Sequence, residues 1–533
     1  MSAQGKITRA AGAMSVATLI SRVLGYIKDM ILAGFFGATG TADVFFVAFR
    51  IPNLLRELFA EGSMSSAFVP VLTEYQTKQG REEANRLVRA TFRVIVLFVG
   101  FICLLGIAAA PYIVSLIAPG FLPDTEKFSM TVLLTRIMFP FLLCISLASL
   151  TMGALNTRGT FFIPAFAPAL LNIVIIASIF TLSSSFTDPI IAVAIGVTAG
   201  GLVQFLIQTP AFFREGFSFF RTGRHAKQAE KIPANDAEPF LHPGVRRIGM
   251  LIIPSTAGLA VAQINIFIST ILASYLPEGS ITYLYYSMRL IQFPIGIFGV
   301  AMGMAALPAL SEHAAKGDLD RLKEDFSFSL RLLFFITVPA MIGLIALRVP
   351  IVSTLFQRGL FGPEATIGTS DALMFYSIGI WAIVGVRIIT AGFYSLQDTK
   401  TPVKVAFAAV TINIALSLVL MGPLKHNGLA LATALASCFN FTMLFFLLRR
   451  RLGHIGTGRI LTSFAKTAGA SIVMGIAGWF VVTGPFWMSG GEIIRKAAYL
   501  LFSILLCVGV YCAAAFLFRS EEMGYLAGKL KKR

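Results

Sequence analysis

Charge is scarce in this sequence. Only 13% of the 533 residues are Asp, Glu, Lys or Arg, whereas an average soluble domain carries roughly 25%. Hydrophobic residues make up 56% of the chain, and the mean hydropathy is +0.80. This composition excludes a soluble protein. Apolar runs long enough to cross a hydrocarbon core of about 30 Å recur from end to end, so we predict an all-α integral membrane protein of about fourteen transmembrane helices.

Motifs for catalysis, metal binding and nucleotide binding are also missing. The five histidines are dispersed, the five cysteines form no CxxC pair, and no GxxxxGK[ST] loop occurs. We therefore expect no catalytic residues, no metal ion and no cofactor. Transport would then draw on an ion gradient, the membrane potential or consumption of the cargo, and not on nucleotide hydrolysis.

The positive charges that are present gather in every second loop. The formal net charge is +18, but the loops between these basic clusters are almost free of Lys and Arg. This alternation is the pattern of orientation signals, so we expect no nucleic-acid partner. The positive-inside rule places both termini in the cytoplasm, which requires an even number of spans.

Short segments recur at an offset of roughly 240 residues, which indicates an internal repeat. The pairs are residues 155–158 with 396–400, 45–50 with 285–289, and 69–74 with 307–312. They align helices one to six with helices seven to twelve in the same orientation. Parallel repeats of this kind are typical of transporters that rock two lobes around a midplane site.

The repeat and one long basic break divide the chain into four parts. We predict an N-lobe at residues 1–214 and a basic cytoplasmic linker at 215–245. A C-lobe follows at 246–450, and residues 451–533 supply two further helices and a basic tail. The predicted architecture is thus two pseudo-repeated six-helix lobes plus two C-terminal helices.

Charges within the predicted spans are the candidate functional residues, because each costs at least a few kcal/mol at a helix centre and normally faces a partner or a wet cavity. In helix one, Arg22 and Asp29 share a face while Lys28 points about 120° away. Helix two carries a polar stripe of four residues that lie within about 40° of one another around the helix axis. Its members are Asp43, Arg50, Glu57 and Glu61.

Helix eight combines one cation with a row of glycines. At ideal helical spacing, one face holds Arg289, Gln292, Gly296, Gly299 and Gly303. The glycines would let either a neighbouring helix or a ligand approach closely, and the sequence leaves both alternatives open. Because the Arg guanidinium suits phosphate oxygens, converging cations favour an anionic cargo. The alternative is snorkelling to the interface or a structural ion pair with Asp29, Asp43 or Glu57.

Helices one and two also resemble the opening signature of the MurJ (MviN) family of lipid II flippases. The matching segments are SRVLGYIKD at 21–29, TADVFFVAFRIPNLLR at 41–56, FAEG at 59–62 and AFVP at 67–70. Later motifs at 289–294 and 397–402 are similar to that family too. The resemblance covers essentially the whole chain.

The resemblance implies a fold, a cargo and a location. The fold is that of the multidrug/oligosaccharidyl-lipid/polysaccharide exporter superfamily, with the two extra helices forming a groove for a polyprenyl tail. The cargo is lipid II, the undecaprenyl-diphosphate-linked peptidoglycan precursor, moved to the outer leaflet by alternating access. We expect a monomer in the bacterial cytoplasmic membrane, in contact with membrane lipid.

Carried over position by position, the family's cavity cations match Arg22, Lys28, Arg56 and Arg289, and its gating acids match Asp43 and Glu61. The family more often has Arg where this chain has Lys28, so the charge is kept but the bidentate phosphate contact is lost. We add Asp29 and Arg50 to the predicted substrate site, and Glu57 to the predicted gate.

Some members of this family hold sodium between helices seven, eleven and twelve. The corresponding region here offers Gln263, Asn265, Asn413 and Ser417 without a carboxylate. Ordinary interhelical hydrogen bonding is the favoured interpretation of these side chains, and no metal site is predicted.

Two other functions remain open at this point. An exporter of cationic drugs would share the fold, but its cavity should need acids more than arginines. A membrane enzyme acting on polyprenyl-linked sugars would need a catalytic acid in a substantial extramembrane loop, and the acid-bearing outer loops of this sequence are short.

Overall fold

The computed structural model describes residues 3–57, 64–220 and 242–531, and within them the chain forms helices joined by short turns and loops. Contacts divide it into two compact units. The first comprises Met1–Leu32 and Gly40–Ile271, and the second comprises Ala33–Thr39 and Leu272–Arg533. The predicted all-α membrane fold is confirmed.

The first unit is built from the helices that precede residue 272. They are α1 (Ala3–Phe36), whose last turn belongs to the second unit, α2 (Gly40–Leu55), α3 (Met64–Lys78), α4 (Arg81–Ala108), α5 (Ala110–Ile117), α6 (Thr125–Met138), α7 (Phe141–Thr157), α8 (Phe162–Leu182), α9 (Ile190–Leu206), α10 (Thr209–Arg214) and α11 (Pro243–Ser274).

The second unit contains the remaining helices. They are α12 (Ser280–Pro294), α13 (Val300–Ala315), α14 (Leu319–Ala346), α15 (Arg348–Phe356), α16 (Pro363–Ser377), α17 (Ile380–Ser395), α18 (Lys400–Leu424), α19 (His426–Leu452), α20 (Thr457–Val482), α21 (Ile493–Leu517) and α22 (Glu521–Lys531). A π-helical turn at Ile295–Gly299 joins α12 to α13.

Eleven stretches of the described chain are long and apolar enough to cross a membrane. They are α4, α6–α7, α8, α9–α10, α12–α13, α14, α16–α17, α18, α19, α20 and α21. The other three predicted spans correspond to α1, α2–α3 and α11. Since residues 58–63, between α2 and α3, lie outside the described part, the count of fourteen stays a prediction.

The internal repeat is visible in the order of the helices. In each unit a helix of 28 residues, α4 or α14, ends at a single non-helical residue, and a short helix follows. The breaks fall at Ala109 and Leu347, which are followed two or three residues later by Pro111 and Pro350. Proline has no N–H to donate to the preceding turn, so the same interruption arises twice from the same cause.

The predicted lobe boundaries are not settled by these contacts. The repeat assigns α11 to the C-lobe, whereas most of this long helix groups with the first unit. Most of the predicted linker, residues 221–241, lies outside the described part of the chain. The division at 214 and 246 therefore stays a prediction.

Where α22 begins, a buried carboxylate fixes the C-terminal helices to α14. The Glu522 side chain is 2% exposed and accepts hydrogen bonds from Ser463 of α20 (2.9 Å) and from Ser520 (2.8 Å). Arg331 of α14 lies 3.3 Å from Glu522 and also pairs with its exposed neighbour Glu521. Because the pair is buried and hydrogen-bonded, α14, α20 and α22 are tied together at this point.

At the start of α21, a buried lysine connects α21 and the α20–α21 connection to α15 and the loop that follows it. Lys496 is 1% exposed, and its Nζ donates to Ser353 Oγ (2.9 Å), Trp487 O (3.2 Å), Ser489 O (2.6 Å) and Gln357 Oε1 (3.3 Å). All four acceptors are neutral. The C-terminal helices are thus fixed to α14 at one point and to α15 at another, so they are an integral part of the second unit.

We predict that Glu522→Ala destabilises the protein by about 3 kcal/mol, because it leaves Arg331 with only its exposed partner Glu521 and leaves two hydroxyl groups at a buried site without their acceptor. The matched control is Glu521→Ala, which removes an exposed partner of the same arginine and should cost less than about 1 kcal/mol. Unfolding in detergent, followed by the loss of tryptophan fluorescence, measures both. Equal effects of the two substitutions would contradict the assignment of the buried pair.

Candidate functional site

The charges of α1 are arranged differently from the helical-wheel prediction. Lys28, predicted to point away from Asp29, turns its ammonium back to the carboxylate of Asp29 at 3.0 Å. Asp29 is fully buried, while the Lys28 side chain is 13% exposed. The long lysine stem makes this adjacent pairing possible although the two Cα–Cβ bonds diverge. Arg22 lies about 120° from Lys28 around the helix axis and is exposed. No ion pair of Arg22 is found within the described residues.

The polar stripe of α2 begins in a buried environment and ends in a hydrogen-bonded cluster. Asp43 is 4% exposed and Arg50 is half-buried. Pro52 lies inside the helix, and a π-helical turn occupies residues 56–57. The predicted single face of Asp43, Arg50 and Glu57 assumes a regular helix, and this turn changes the direction of the residues at its end.

Arg56 and Glu57 form the cluster at the end of α2. Arg56 donates to Asn53 Oδ1 through Nε (3.2 Å) and Nη2 (3.0 Å), and it lies 3.8 Å from a carboxylate oxygen of Glu57. Glu57 accepts hydrogen bonds from Asn53 Nδ2 (3.0 Å) and from Gln263 Nε2 of α11. Gln263 therefore makes an interhelical hydrogen bond, in agreement with the favoured interpretation of that side chain. Glu61 lies outside the described residues.

The glycine row beyond Arg289 serves helix packing, at least at Gly299. A Cβ atom added there would lie 2.9 Å from Val384 Cγ1 of α17, and one at Gly303 would lie 3.7 Å from Arg387 Cβ. Arg289 itself is half-buried in α12. Of the two alternatives left open by the sequence, the neighbouring helix is the one that the structure supports.

The prediction that Arg289 and the three glycines share one face was wrong in its geometry. Gly296 and Gly299 lie within the π-helical turn at Ile295–Gly299, and Gly303 lies beyond it. A π turn holds more residues than an α-helical turn. This turn follows Pro294, which lacks the N–H needed to continue the regular hydrogen-bond ladder. The wheel positions of Gly299 and Gly303 are therefore displaced relative to Arg289.

Two further charges were missed by the sequence analysis, and only the first of them lies within a predicted span. Lys496 lies at the start of a predicted span, and Arg358 lies in the loop that joins α15 to α16. Both are cations near apolar runs. Among the described residues, no group of three or more His, Cys, Asp or Glu side chains is placed to hold a metal ion.

Comparison with known proteins gives a consistent family over most of the chain. A family model described as "Lipid II flippase MurJ" matches residues 32–494. The lipid II flippase MurJ of Burkholderia cenocepacia is 34% identical over 498 residues, which cover 93% of this chain and 94% of that protein. The probable lipid II flippase MurJ of Vibrio cholerae is 36% identical over 512 residues, which cover 95% of this chain and 94% of that protein.

Solved structures show the same similarity. A lipid II flippase MurJ in an inward closed conformation matches with a TM-score of 0.75 and 26% identity, covering 95% of this chain and 98% of that chain. An inward-facing MATE family multidrug transporter of the MOP superfamily matches with a TM-score of 0.64, 14% identity, and coverage of 84% of this chain and 99% of that chain. The second match, at its low identity, shows the fold alone.

The Lys28–Asp29 pair allows a test that separates a structural role from other roles. We predict that Lys28→Ala lowers the amount of folded protein in the membrane, because it removes the ammonium that compensates a fully buried carboxylate. Adding Asp29→Asn should restore accumulation by removing the buried charge. The control is Arg22→Ala, at an exposed position on the same helix. Normal accumulation of the single Lys28→Ala variant, measured by fluorescence-detected gel filtration, would show that the pair does not stabilise the fold.

Proposed function

The chain belongs to the MurJ family of lipid II flippases, and on this premise we propose that it carries lipid II from the cytoplasmic to the outer leaflet of the bacterial inner membrane. The observation that carries the proposal is the similarity over the whole length: relatives of this function are 34% and 36% identical over at least 93% of the chain. The many apolar helices fit a multi-pass membrane protein. We propose further that it works as a monomer with both termini in the cytoplasm, as the alternation of basic loops indicates.

The cations of α1, α2 and α12 are proposed to contact the diphosphate of the cargo. Arg22 is exposed, and the Lys28 and Arg56 side chains keep 13% and 21% exposure despite their partners. A partly exposed cation at membrane depth can exchange a protein partner for a phosphate oxygen. Arg50 and Arg289 are half-buried and join the proposed set, while Asp29 orients Lys28 through their ion pair.

The acids of α2 are proposed to act in gating. Glu57 connects α2 to α11 through Gln263, so a movement of either helix would break or form this hydrogen bond. Asp43 is buried near the start of α2, and Glu61 is assigned from the resemblance alone. A cycle of alternating access by two repeated lobes is supported by the parallel repeat and by the paired helix interruptions of α4–α5 and α14–α15.

We propose that the chain is a transporter and not an enzyme. The known MATE neighbours share the fold, and an exporter of cationic drugs is the second candidate that this fold permits. The charged residues favour the anionic cargo, because the intramembrane cations of α1, α2 and α12 would repel a cationic drug.

A depletion experiment tests the proposed function. In a bacterium whose own lipid II flippase can be switched off, expression of this chain should sustain growth and keep lipid II reaching the outer leaflet. Cells without it should accumulate lipid II on the inner leaflet. The amount of lipid II cleaved by a hydrolase added outside the cells reports its outer-leaflet fraction. If this fraction stays low although the chain is present in the membrane, and the cells instead export a cationic dye, the drug-exporter alternative is favoured.

Substitution of Arg289 tests the cation set. Arg289→Ala should abolish flipping while the protein still inserts, because removal of a charge at membrane depth relieves a desolvation cost. Arg289→Lys should retain partial activity at best, since the planar fork is lost. Arg495→Ala is the control: it removes an exposed cation that pairs with Glu492 at 3.0 Å. Normal translocation by a well-inserted Arg289→Ala variant would exclude Arg289 from the cargo site.

A further inference from the structure

The loop between α15 and α16 holds a half-buried arginine without a carboxylate partner. Arg358 Nη2 donates to the carbonyl oxygens of Thr354 (3.1 Å) and Leu355 (2.6 Å) at the end of α15. Its Nε is buried and has no hydrogen-bond partner among the described residues, and no carboxylate of the described chain lies within ion-pair distance of the guanidinium. Burial lowers the pKa of Arg358, and no acid opposes this effect.

Such an arrangement is costly for the folded protein alone. The two carbonyl groups carry the partial negative charge of a helix C-terminus, which compensates only part of a full positive charge. The remaining donors of the guanidinium fork are left for another acceptor. The Nε atoms of Arg331 and Arg348 are also buried without a partner, but each of these two arginines has a carboxylate within 4.0 Å, which Arg358 lacks. A missing anion fits such a cation.

The last turn of α1 lies against the stem of this arginine. The Leu360 N–H donates to Gly34 O at 2.9 Å, and a Cβ atom added to Gly34 would lie 2.9 Å from Arg358 Cγ. Gly359, at φ +53°, also approaches closely, since a Cβ there would lie 2.1 Å from Gly34 O. Only glycine lets the two backbones meet in this way. Any movement that separates Ala33–Thr39 from this loop uncovers the Arg358 side chain.

The internal repeat shows that the fold does not require a cation at this position. The short helix α5 of the first unit corresponds to α15. It is followed by Ala118, whose N–H donates to Val114 O. Pro119 and Gly120 follow, where the second unit has Arg358 and Gly359. The first unit therefore ends its helix and makes its turn without an arginine, so helix capping does not account for Arg358.

We propose that Arg358 is a further contact for the diphosphate of the cargo, used beyond the α1 cations, at the side of the membrane where α1 ends. Gly34 lies six residues after Lys28 on α1, which is roughly 9 Å of helix rise. A diphosphate would meet the guanidinium of Arg358 when the last turn of α1 moves off it. This inference rests on the proposed function and adds a release-side residue to it.

Flipping assays with purified protein in liposomes test the inference. Arg358→Gln keeps an N–H donor for the helix carbonyls and removes the charge, so a capping role would survive it. We expect the rate of lipid II flipping to fall about tenfold or more, as the loss of a charge-assisted hydrogen bond implies, with an unchanged thermal midpoint. The flipping rate of Arg358→Lys should lie between that of the unmodified protein and that of Arg358→Gln. The matched control is Arg348→Gln at the start of α15, where the arginine already lies 3.9 Å from Asp371. This variant should flip lipid II at the rate of the unmodified protein.

A second measurement is independent of transport. Inorganic pyrophosphate should slow amide hydrogen exchange in residues 357–362 of the unmodified protein and of Arg348→Gln, but not of Arg358→Gln. Flipping by Arg358→Gln at the normal rate, or a loss of flipping together with a lowered thermal midpoint, would overturn the proposal. If the unmodified protein flips no lipid II, the proposed function fails instead, and the absence of pyrophosphate protection then overturns the Arg358 contact by itself.

Discussion

The cost of removing charge from water governs this molecule. In a chain with 13% charged residues, a charge within or beside an apolar span must find a partner, reach water or serve a ligand. The structure shows different solutions of this problem. Asp29 is neutralised by the adjacent Lys28, Glu522 by Arg331, and Lys496 is surrounded by four neutral acceptors. Arg358 has only two carbonyl groups, which leaves its charge the least compensated of the four.

These solutions differ in how completely the protein encloses each charge. The buried side chains of Glu522 and Lys496 find their partners within the second unit, Glu522 in Arg331 and two hydroxyl groups and Lys496 in four neutral acceptors. The Lys28 and Arg56 side chains are paired yet retain some exposure, which suits a residue that must exchange partners.

The hydropathy of the sequence was sufficient to predict the helical membrane fold, because burial of apolar spans depends on composition over about 20 residues and not on detail. Side-chain positions depend on detail, and there the ideal helix failed. Pro294 and the π-helical turn after it displaced the glycines from the Arg289 face, and the length of the lysine side chain overrode the wheel angle between Lys28 and Asp29. Lys496 was missed because it lies in the C-terminal helices outside the repeat, and Arg358 because it lies in a loop between two predicted spans. The grouping of Ala33–Thr39 with the second unit depends on backbone contacts at glycines, which no pattern of side chains reveals.

A parallel repeat supplies two copies of one scaffold, and function can then occupy the positions where the copies differ. The α4–α5 and α14–α15 pairs share their lengths and their proline-linked break, so the fold is satisfied by features common to both. The first unit has Pro119 where the second unit has Arg358, and the shared architecture accommodates both residues. At α2 and α12 the two copies agree instead, because the aligned arginines, Arg50 and Arg289, are present in both. Both arginines also make interactions within the described chain, so the desolvation cost at these positions is met at least in part by the protein itself.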